Sequence, residues 1–217
     1  MKLTVIIPMY NCCQNVSQTL QKLSNQLGRR DDSERLEVIV VDDGSTDQFA
    51  FNVKLECLAR GFIYYRQDNA GGAAACNRGL EMASGDYVTF VDADDSITDC
   101  YVDVVLQEIM TGEYDFITHC WEYPNGQIGG RHELPLVNWN VWGNMYRTSL
   151  VRDVKFDEDI NVSWDMDWLR RAYQPSMRQF NSDRVTNIYD TSNPESITNK
   201  FSRGEITIRK SDTKSQS

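Results

Sequence analysis

The chain has 217 residues, with 22 Lys and Arg against 32 Asp and Glu, so its formal net charge is −10. Hydrophobic residues make up 41% of the chain and charged residues 25%, which is typical of a globular protein and excludes wholesale disorder. A chain this acidic is a poor match for the phosphates of nucleic acid, so we expect no stable nucleic-acid binding. The length predicts a single domain.

The chain carries no sign of a membrane or secretory segment. No apolar run approaches the roughly 20 residues of a membrane helix, so we predict no transmembrane segment. The first apolar stretch, Leu3–Ile7, stops at Pro8 without a small-residue cleavage site, which indicates a strand and not a signal peptide. The six cysteines show neither a CxxC motif nor zinc spacing and are expected to be reduced thiols. These features predict a cytoplasmic protein.

The first half of the chain alternates apolar runs with helical patterns. Strands are predicted at Leu3–Ile7, Leu36–Val41, Phe62–Arg66 and Tyr87–Val91. Helices are predicted over 14–28, from a capping box at Ser45–Gln48 to about Arg60, over 71–83 and over 98–111. Four strand–helix units in a row favour right-handed crossovers. The predicted fold class is α/β, a single domain with a mostly parallel central sheet flanked by helices.

The second half of the chain is less regular. A strand is predicted at Tyr114–His119, a loop around Pro124-Asn125-Gly126, a helix over 163–173 and an apolar patch at Val185–Tyr189. We expect a domain over 1–198 followed by a polar, mobile tail over 199–217. The tail is basic and could approach an anionic acceptor or the inner face of a membrane, although a solvated tail is the commoner meaning of such a segment.

Three predicted strands end in residues that can bind ligands. Pro8-Met9-Tyr10-Asn11 follows the first strand, Asp42-Asp43-Gly44-Ser45 the second and Asp92-Ala93-Asp94-Asp95 the fourth. Ligands of parallel sheets bind beyond these carboxyl ends, so the three segments are expected to meet at one edge.

Each of these segments also has a structural interpretation. Asp92 and Asp94 are oxygen ligands of the kind that Mg²⁺ and Mn²⁺ favour, but they could equally cap the helix predicted near Thr98. Asp42 and Asp43 could accept hydrogen bonds from a base or a ribose, or could belong to a helix cap. The ring of Tyr10 could face a flat ligand or pack at the strand end.

A second acidic segment occurs in Trp164-Asp165-Met166-Asp167-Trp168. In a helix Asp165 and Asp167 point about 200° apart, so only one of them could serve as a general base in a given pocket. From this segment alone, acids favoured by the helix dipole are the better interpretation. His119 and His132 lack partner spacing and are interpreted as structural. The absence of a GxGxxG or GxxxxGK[ST] motif argues against a dinucleotide enzyme or a P-loop NTPase.

Taken in chain order, these segments resemble the family 2 nucleotide-sugar glycosyltransferases, which have the GT-A fold. The matching segments are Val5–Asn11, Val41–Asp47, Asn69–Gly72, Asn77–Leu80, Gly85–Asp95, Trp142–Arg147, Phe156–Glu158 followed by Asp165, and Ser196–Thr198. The resemblance is most specific in the first 95 residues. It implies a nucleotide-sugar and metal half over 1–95 and an acceptor half over 96–198.

The resemblance also implies roles for individual residues. The residues assigned to nucleotide-sugar binding are Pro8, Tyr10, Asn11, Asp42, Asp43, Gly71, Asn77 and Asp92. Among these, Pro8, Tyr10 and Asp43 would surround the base, usually uracil. Asp94, together with Asp92, would bind Mn²⁺ or Mg²⁺, and Asp165 would be the general base that deprotonates the acceptor hydroxyl.

The function implied is a metal-dependent, inverting glycosyltransferase. Its donor would be a nucleoside-diphosphate sugar, with UDP expected, and its acceptor a glycan or a lipid-linked saccharide; a hydroxylated nucleobase is an alternative acceptor. A protein of this kind would be cytoplasmic or peripheral at the inner membrane face. We expect no membrane helices or extra domains of the kind that many relatives carry, and we therefore expect acceptor recognition in residues 114–217.

Two departures from the family pattern favour a non-catalytic nucleotide-sugar-binding scaffold instead. The family often has Ala-Arg-Asn where this chain has Ala75-Cys76-Asn77, and its Glu-Asp pair is Trp164-Asp165 here. The retained carboxylates argue for an enzyme. A nucleotidyltransferase would be expected to carry a glycine-rich, basic loop after the first strand, and Asn11–Gln14 is not one.

Overall fold

A computed structural model of the chain describes residues 1–28, 33–130, 141–160, 162–190, 194 and 197–205. The strands in these residues are β1 (Leu3–Met9), β2 (Leu36–Asp42), β3 (Ile63–Arg66), β4 (Tyr87–Phe90), β5 (Ser96–Ile97), β6 (Phe116–Glu122), β7 (Ile128–Gly129), β8 (Met145–Arg147) and β9 (Gln179–Ile188). The helices are α1 (Cys13–Leu27), α2 (Ala50–Arg60), α3 (Gly72–Met82), α4 (Tyr101–Ile109), α5 (Thr148–Val151), α6 (Trp164–Ala172) and α7 (Ile197–Ser202), with a 3₁₀ turn at Ser33–Arg35.

The described strands form one sheet in the order β3-β2-β1-β4-β8-β6-β9-β5, with β7 paired to β6. The first four strands are parallel to one another, as predicted. Beyond β4 the orientations mix, because β8 runs antiparallel to both β4 and β6, while β9 is parallel to β6 and antiparallel to β5. The predicted α/β class and single domain are confirmed. The antiparallel strands of the second half were not predicted.

Helices cover both faces of the sheet because the central strands are apolar on both. Successive side chains of a strand point to opposite faces. On β1, Leu3, Val5 and Ile7 pack into a core shared with α1, α2 and α4, whereas Ile6 packs into a second core shared with α3 and α6. The continuous apolar run of β1 is therefore typical of a strand buried between two helical layers.

Helix α3 lies unusually close to β1. A methyl group at Gly79 would collide with the side chain of Ile6, so only glycine permits this approach. The neighbouring residues of α3 are also small, with Ala73, Ala74 and Ala75 all buried. This close packing places the first turn of α3 beside the strand ends that carry the predicted site.

The predicted end of β1 and the predicted beginning of α2 are both wrong, for local reasons. Strand β1 continues through Pro8 to Met9, beyond the predicted end at Ile7. The N–H of Val91 bonds to the carbonyl of Ile6, so the backbone N–H and C=O groups of the even-numbered residues of β1 point toward β4. Strand β4 pairs with β1 only as far as Ile6. The N–H that Pro8 lacks would therefore face no ladder partner.

The predicted capping box at Ser45–Gln48 does not form. Helix α2 begins at Ala50 and has no side-chain cap. The hydroxyl of Ser45 instead accepts a hydrogen bond from the N–H of Asn11 at 3.0 Å, and the carboxylate of Asp47 accepts one from the N–H of Phe49 at 2.8 Å. Ser45 thus joins the second strand end to the first and does not cap a helix.

The second half contains a strand longer than predicted. Residues 185–188 of the apolar patch Val185–Tyr189 are the last part of the ten-residue β9, whose polar first part gave no strand signal. The predicted tail begins inside α7, and residues 206–217, like His132, lie outside the described residues. No helix of the described residues is long and apolar enough to cross a membrane. The described cysteines 12, 57, 76, 100 and 120 form no disulfide with one another.

Candidate active site

The carboxyl ends of β1, β2 and β4 lie at one edge of the sheet, as the parallel pairing requires. The N–H of Asp43 bonds to the carbonyl of Met9 at 2.8 Å, which joins the ends of β2 and β1. The side chain of Asn15, in the first turn of α1, donates to the carbonyl of Asp94 at 3.1 Å. The three predicted segments therefore converge at this edge, which we call the carboxyl edge.

Asp43 organises the loop that leads into α3. Its buried carboxylate accepts hydrogen bonds from the side chain of Gln67 at 2.8 Å and from the N–H groups of Ala70 and Gly71 at 3.0 and 2.8 Å. Gly71 has a φ of +98°, a conformation that side chains rarely adopt. Asp43 therefore fixes the exposed glycine backbone beside the carboxyl edge.

Asp42 is fully buried beneath the carboxyl edge. Its carboxylate accepts hydrogen bonds from the N–H of Ser45, the hydroxyl of Tyr64 and the guanidinium of Arg66. Burial alone would raise the pKa of Asp42, but these hydrogen bonds outweigh burial and lower it. Asp42 thus ties the end of β2 to β3, and its two oxygens are already in use.

Tyr10 and Asn11 form the outer surface of the first segment. The ring of Tyr10 is 48% exposed, so it is not packed into the core. Asn11 has a φ of +55°, and its side-chain oxygen accepts hydrogen bonds from the N–H groups of Thr46 and Asp47 at 2.8 and 3.2 Å. Pro8 is only partly buried. This arrangement leaves the Tyr10 ring available to a flat ligand.

Carboxylates crowd the end of β4. Asp92 and Asp94 are partly exposed, and Asp95 is buried. Removal from water and the charges of Asp95, Asp94 and Asp165 raise the pKa of Asp92 well above its ordinary value. Burial and the charges of Asp94 and Asp190 likewise raise the pKa of Asp95. Helix α4 begins at Tyr101 without a side-chain cap, so Asp92 and Asp94 do not cap it.

The same charges reach the end of β1. Burial and the charges of Asp94, Asp47 and Asp92 raise the pKa of Cys12, the residue before α1, to about 11. Within the described residues, no group of three or more His, Cys, Asp or Glu side chains forms a ready-made metal cage. Where the substrate itself supplies phosphate oxygens, a Mg²⁺ or Mn²⁺ site needs only one or two protein carboxylates. Water and the phosphate oxygens complete the coordination shell of the ion. The donor set at the end of β4 fits such an ion.

Helix α6 brings Asp165 to these carboxylates. Ser163, before the helix, has a φ of +61°, and Trp164 lies against Gly72, where an added methyl group would be 3.0 Å from the indole. Burial raises the pKa of Asp165, against hydrogen bonds from its own N–H and that of Met166, which lower it. Asp167 pairs instead with Arg171 at 2.6 Å. The prediction that Asp165 and Asp167 face different surroundings is confirmed.

Asn77 connects α3 to the segment before α6. Its side-chain nitrogen donates to the carbonyl of Phe156 at 3.0 Å and to the carboxylate of Glu158 at 2.8 Å, and its oxygen accepts from the N–H of Phe156 at 2.7 Å. The amide of Asn77 is buried and engaged in these bonds. Its contribution to the site is therefore to position the chain that carries Asp165.

Cys76 replaces the arginine of the family pattern within reach of the acidic group. It is buried on α3, and burial together with the charges of Asp92 and Asp165 raises its pKa. Arg78 does not take the place of the missing arginine. Its guanidinium pairs with Glu81 at 2.7 Å and lies over the ring of Tyr65. A cation is thus absent from position 76, and the carboxylates there face a neutral thiol.

The structure brings together at the carboxyl edge most of the residues that the sequence assigned to a site. These are Tyr10, Asn11, Asp43, Gly71, Asp92, Asp94 and Asp165, whereas Asp42 and Asn77 lie below it with their side chains in internal hydrogen bonds. Two contributors had no predicted role. Asp95 ends the motif that contains Asp92, and Trp164 covers Gly72, a contact that no sequence spacing indicates.

Comparison with known proteins supports one family for this site. The family model described as Glycosyl transferase family 2 matches residues 4–174. Glycosyltransferase GlyA from Streptococcus pneumoniae serotype 4 is 37% identical over 166 residues, which are 76% of this chain and 22% of GlyA. Uncharacterized glycosyltransferase YibD from Escherichia coli K12 is 40% identical over 99 residues, which are 44% of this chain and 27% of YibD.

Solved structures agree with these relatives. The crystal structure of S. aureus TarS 1-349 in complex with UDP has a TM-score of 0.75 at 25% identity, over 89% of this chain and 61% of that chain. The same TarS fragment in complex with UDP-GlcNAc has a TM-score of 0.74 at 25% identity, over 87% of this chain and 58% of that chain. The present chain thus spans less than two thirds of each of these proteins. Its fold is GT-A, and the chain belongs to glycosyl transferase family 2.

Proposed function

We propose that this chain transfers a glycosyl group, with inversion, from a UDP-sugar to a hydroxyl group of a glycan or a lipid-linked saccharide. The observation that carries the proposal is the meeting of Asp92, Asp94 and Asp165 at the edge where β1 and β2 also end. The UDP and UDP-GlcNAc complexes of S. aureus TarS support uridine as the base of the donor.

The first two strand ends supply the donor pocket. The exposed ring of Tyr10 offers a face on which a base can stack, and Pro8 and Asn11 flank it. Asp43 accepts hydrogen bonds along one side of the pocket and holds the backbone of Gly71 where a nucleotide can approach it without meeting a side chain. Asp92 lies at the next strand end, toward the ribose and the diphosphate.

Asp94, with Asp92, would hold Mn²⁺ or Mg²⁺ beside the diphosphate. Removal from water and the charges of Asp95, Asp94 and Asp165 raise the pKa of Asp92, and a bound cation would favour its ionised form. When bound, such an ion stabilises the charge that develops on the departing diphosphate oxygens. An arginine at position 76 would have neutralised part of the negative charge of Asp92 and Asp165. Cys76 supplies no positive charge, so that role falls to the ion.

Asp165 is the proposed base. The oxygen of the acceptor hydroxyl forms a bond to the anomeric carbon, the bond from that carbon to the diphosphate oxygen breaks, and the hydroxyl proton passes to the carboxylate of Asp165. One displacement inverts the anomeric configuration. Burial, which raises the pKa of Asp165, makes its carboxylate a stronger base than an exposed one. Trp164 and Asn77 position the helix and the segment that carry it.

Thermal unfolding with UDP, UDP-GlcNAc and other nucleotides, each with and without Mn²⁺, tests the proposal. At about one hundred times its Kd, a specific ligand adds about 2.7 kcal/mol of stability. We expect stabilisation by uridine nucleotides that depends largely on Mn²⁺, together with release of UDP from a UDP-sugar. Asp94→Asn should remove the part that depends on Mn²⁺, whereas Asp99→Asn, at an exposed position, should keep it.

Three results would contradict parts of the proposal. Absence of stabilisation by every nucleotide would exclude the donor site. Stabilisation that is unchanged in Asp94→Asn would exclude Asp94 as a ligand of the ion. Nucleotide binding without release of UDP under any condition would favour the non-catalytic scaffold.

A further inference from the structure

The carboxyl edge continues past β4 into strands that end in aromatic residues. Because β8 is antiparallel to β4 and β6, the beginning of β8 and the ends of β6 and β9 lie at the same edge as the end of β4. Trp121 and Tyr123 are at the end of β6, Trp142 precedes β8 and Tyr189 follows β9. We call these four residues the aromatic platform.

The four rings contact one another and also reach solvent. Trp142 and Tyr189 are stacked, with ring centroids 5.2 Å apart and planes 11° apart. Trp121 meets Trp142 edge to face at 5.3 Å, and Tyr123 meets Tyr189 edge to face at 5.9 Å. Each of the four side chains is partly exposed. They therefore form a continuous aromatic surface and not a closed core.

The platform rests on rigid supports. A methyl group at Gly129 would collide with the indole of Trp121, and one at Gly130 would lie 2.7 Å from it, so the backbone of the β7 hairpin supports that ring directly. Gly143, next to Trp142, has a φ of +73°, and its carbonyl lies 2.8 Å from Nδ1 of the buried His119. The rings are thus held in place before any ligand arrives.

The platform adjoins the proposed site. Trp142 forms a bridge with Phe90, the last residue of β4, and the N–H of Gly143 bonds to the carbonyl of Phe90 at 3.3 Å. On the far side, the N–H of Asp190 donates to the carboxylate of Asp95 at 2.9 Å. The rings therefore lie next to Asp92–Asp95 in the strand order, on the side opposite to the proposed donor pocket.

Charge near the platform limits its occupant. Asp190 directly follows Tyr189 in the chain and is partly exposed. Carboxylates repel phosphate and other anions, but they accept hydrogen bonds from hydroxyl groups. A sugar ring offers an apolar C–H face to an aromatic ring and hydroxyl groups at its rim. We infer that the aromatic platform binds an uncharged sugar ring of the acceptor. The identification of this sugar ring as part of the acceptor rests on the proposed function.

Binding of the full chain to an array of neutral and anionic glycans, in the presence of UDP and Mn²⁺, tests the inference. We expect wild type to bind neutral glycans, and Tyr189→Leu to bind them about tenfold more weakly because it loses one stacking surface. Tyr189→Phe should bind like wild type, since it keeps the ring. Phe51→Leu is the matched control, because Phe51 is 64% exposed on α2, beside β3 at the other end of the sheet.

The outcomes separate this inference from the proposed function. Wild-type binding to no neutral glycan, preference for anionic glycans, or undiminished binding by Tyr189→Leu would overturn the platform. Thermal stabilisation by UDP and Mn²⁺ should be the same in Tyr189→Leu as in wild type. A platform that fails while nucleotides still stabilise the protein leaves the proposed donor site intact. Glycan binding that depends on Tyr189 without any nucleotide binding would support the platform and contradict the proposed function.

Discussion

At the amino edge of the sheet, opposite the site, Glu37 accepts four hydrogen bonds, from Lys2, from Thr4 and twice from Ser84. Asp115, at the same edge, accepts hydrogen bonds from Arg147 and Arg178. At the end of β4, on the carboxyl edge, Asp92 lies near Asp94, Asp95 and Asp165. The same type of side chain therefore meets cations and donors at the amino edge and like charges at the end of β4.

The pKa values follow this contrast. Burial alone would raise the pKa of Glu37, but hydrogen bonds from Lys2, Ser84 and Thr4 outweigh burial and lower it to about 2. Hydrogen bonds from Arg178 and Arg147 hold the pKa of Asp115 far below its ordinary value. The pKa values of Asp92 and Asp165 are instead raised. Ionised Glu37 and Asp115 thus stabilise the fold at the amino edge, whereas ionisation of Asp92 and Asp165 costs stability, which is typical of a functional site.

The largest expected effect comes from removing the base at the carboxyl edge. Asp165→Asn should lower kcat for release of UDP from a UDP-sugar by about 10²–10⁴-fold, because an amide cannot take the proton of the acceptor. Donor affinity, measured by thermal shift, should stay near wild type. Asp167→Asn is the matched control, since Asp167 lies on the same helix and pairs with Arg171. Wild-type turnover in Asp165→Asn, or a loss confined to Asp167→Asn, would place the base elsewhere.

An intermediate effect is expected from breaking the ion pairs of the amino edge. Asp115→Asn should lower the free energy of unfolding at pH 7 by about 2 kcal/mol, because Arg147 loses a charged hydrogen-bond partner in a partly buried position. Denaturant unfolding measures this loss. Asp183→Asn, at an exposed position on β9, should change stability by less than about 0.5 kcal/mol. Equal stability of the two variants would show that the Asp115 pairs contribute little.

The smallest effect concerns pH. The pKa of Glu37 is lower in the folded state than the ordinary value of about 4.3, so its contribution is present above that pH and is lost as the pH falls toward about 2. Glu37→Gln should therefore be about 1 kcal/mol less stable than wild type at pH 7, and the difference should shrink below about pH 4. Glu34→Gln, at an exposed position, should follow the wild-type pH curve. A difference for Glu37→Gln that does not vary with pH would contradict the assignment.

The two halves of the chain differ in how far the sequence alone predicted them. The strands β1 to β4 and the helices between them are local patterns of apolar spacing, and the structure confirms them with shifts of a few residues. In β9 the first residues are polar, and the strand exists because β6 pairs with it. The spacing of apolar residues indicates which side chains of one segment are buried. It therefore does not predict a strand that is stabilised by pairing with a segment some 60 residues away in sequence.

The site divides in the same way. The sequence placed Tyr10, Asp43, Asp92 and Asp94 at strand ends, and parallel pairing brings those ends together without further information. The spacing of Asp42 and Asp43 did not show that Asp42 is already paired with Arg66. Nor did the segment around Asp165 show which of its two acids faces Asp92, because that depends on how Trp164 packs against Gly72.

The sequence by itself determined the α/β class, the positions of the first four strands along the chain and the residue types at their ends, because these depend on local spacing and on a general rule of parallel sheets. The tertiary structure alone decided which carboxylates accept hydrogen bonds from cations and other donors and which lie beside like charges. The reason is that each pKa depends on neighbours from distant segments of the chain. It also decided that Trp121, Trp142 and Tyr189, far apart in sequence, form one surface beside the acidic group.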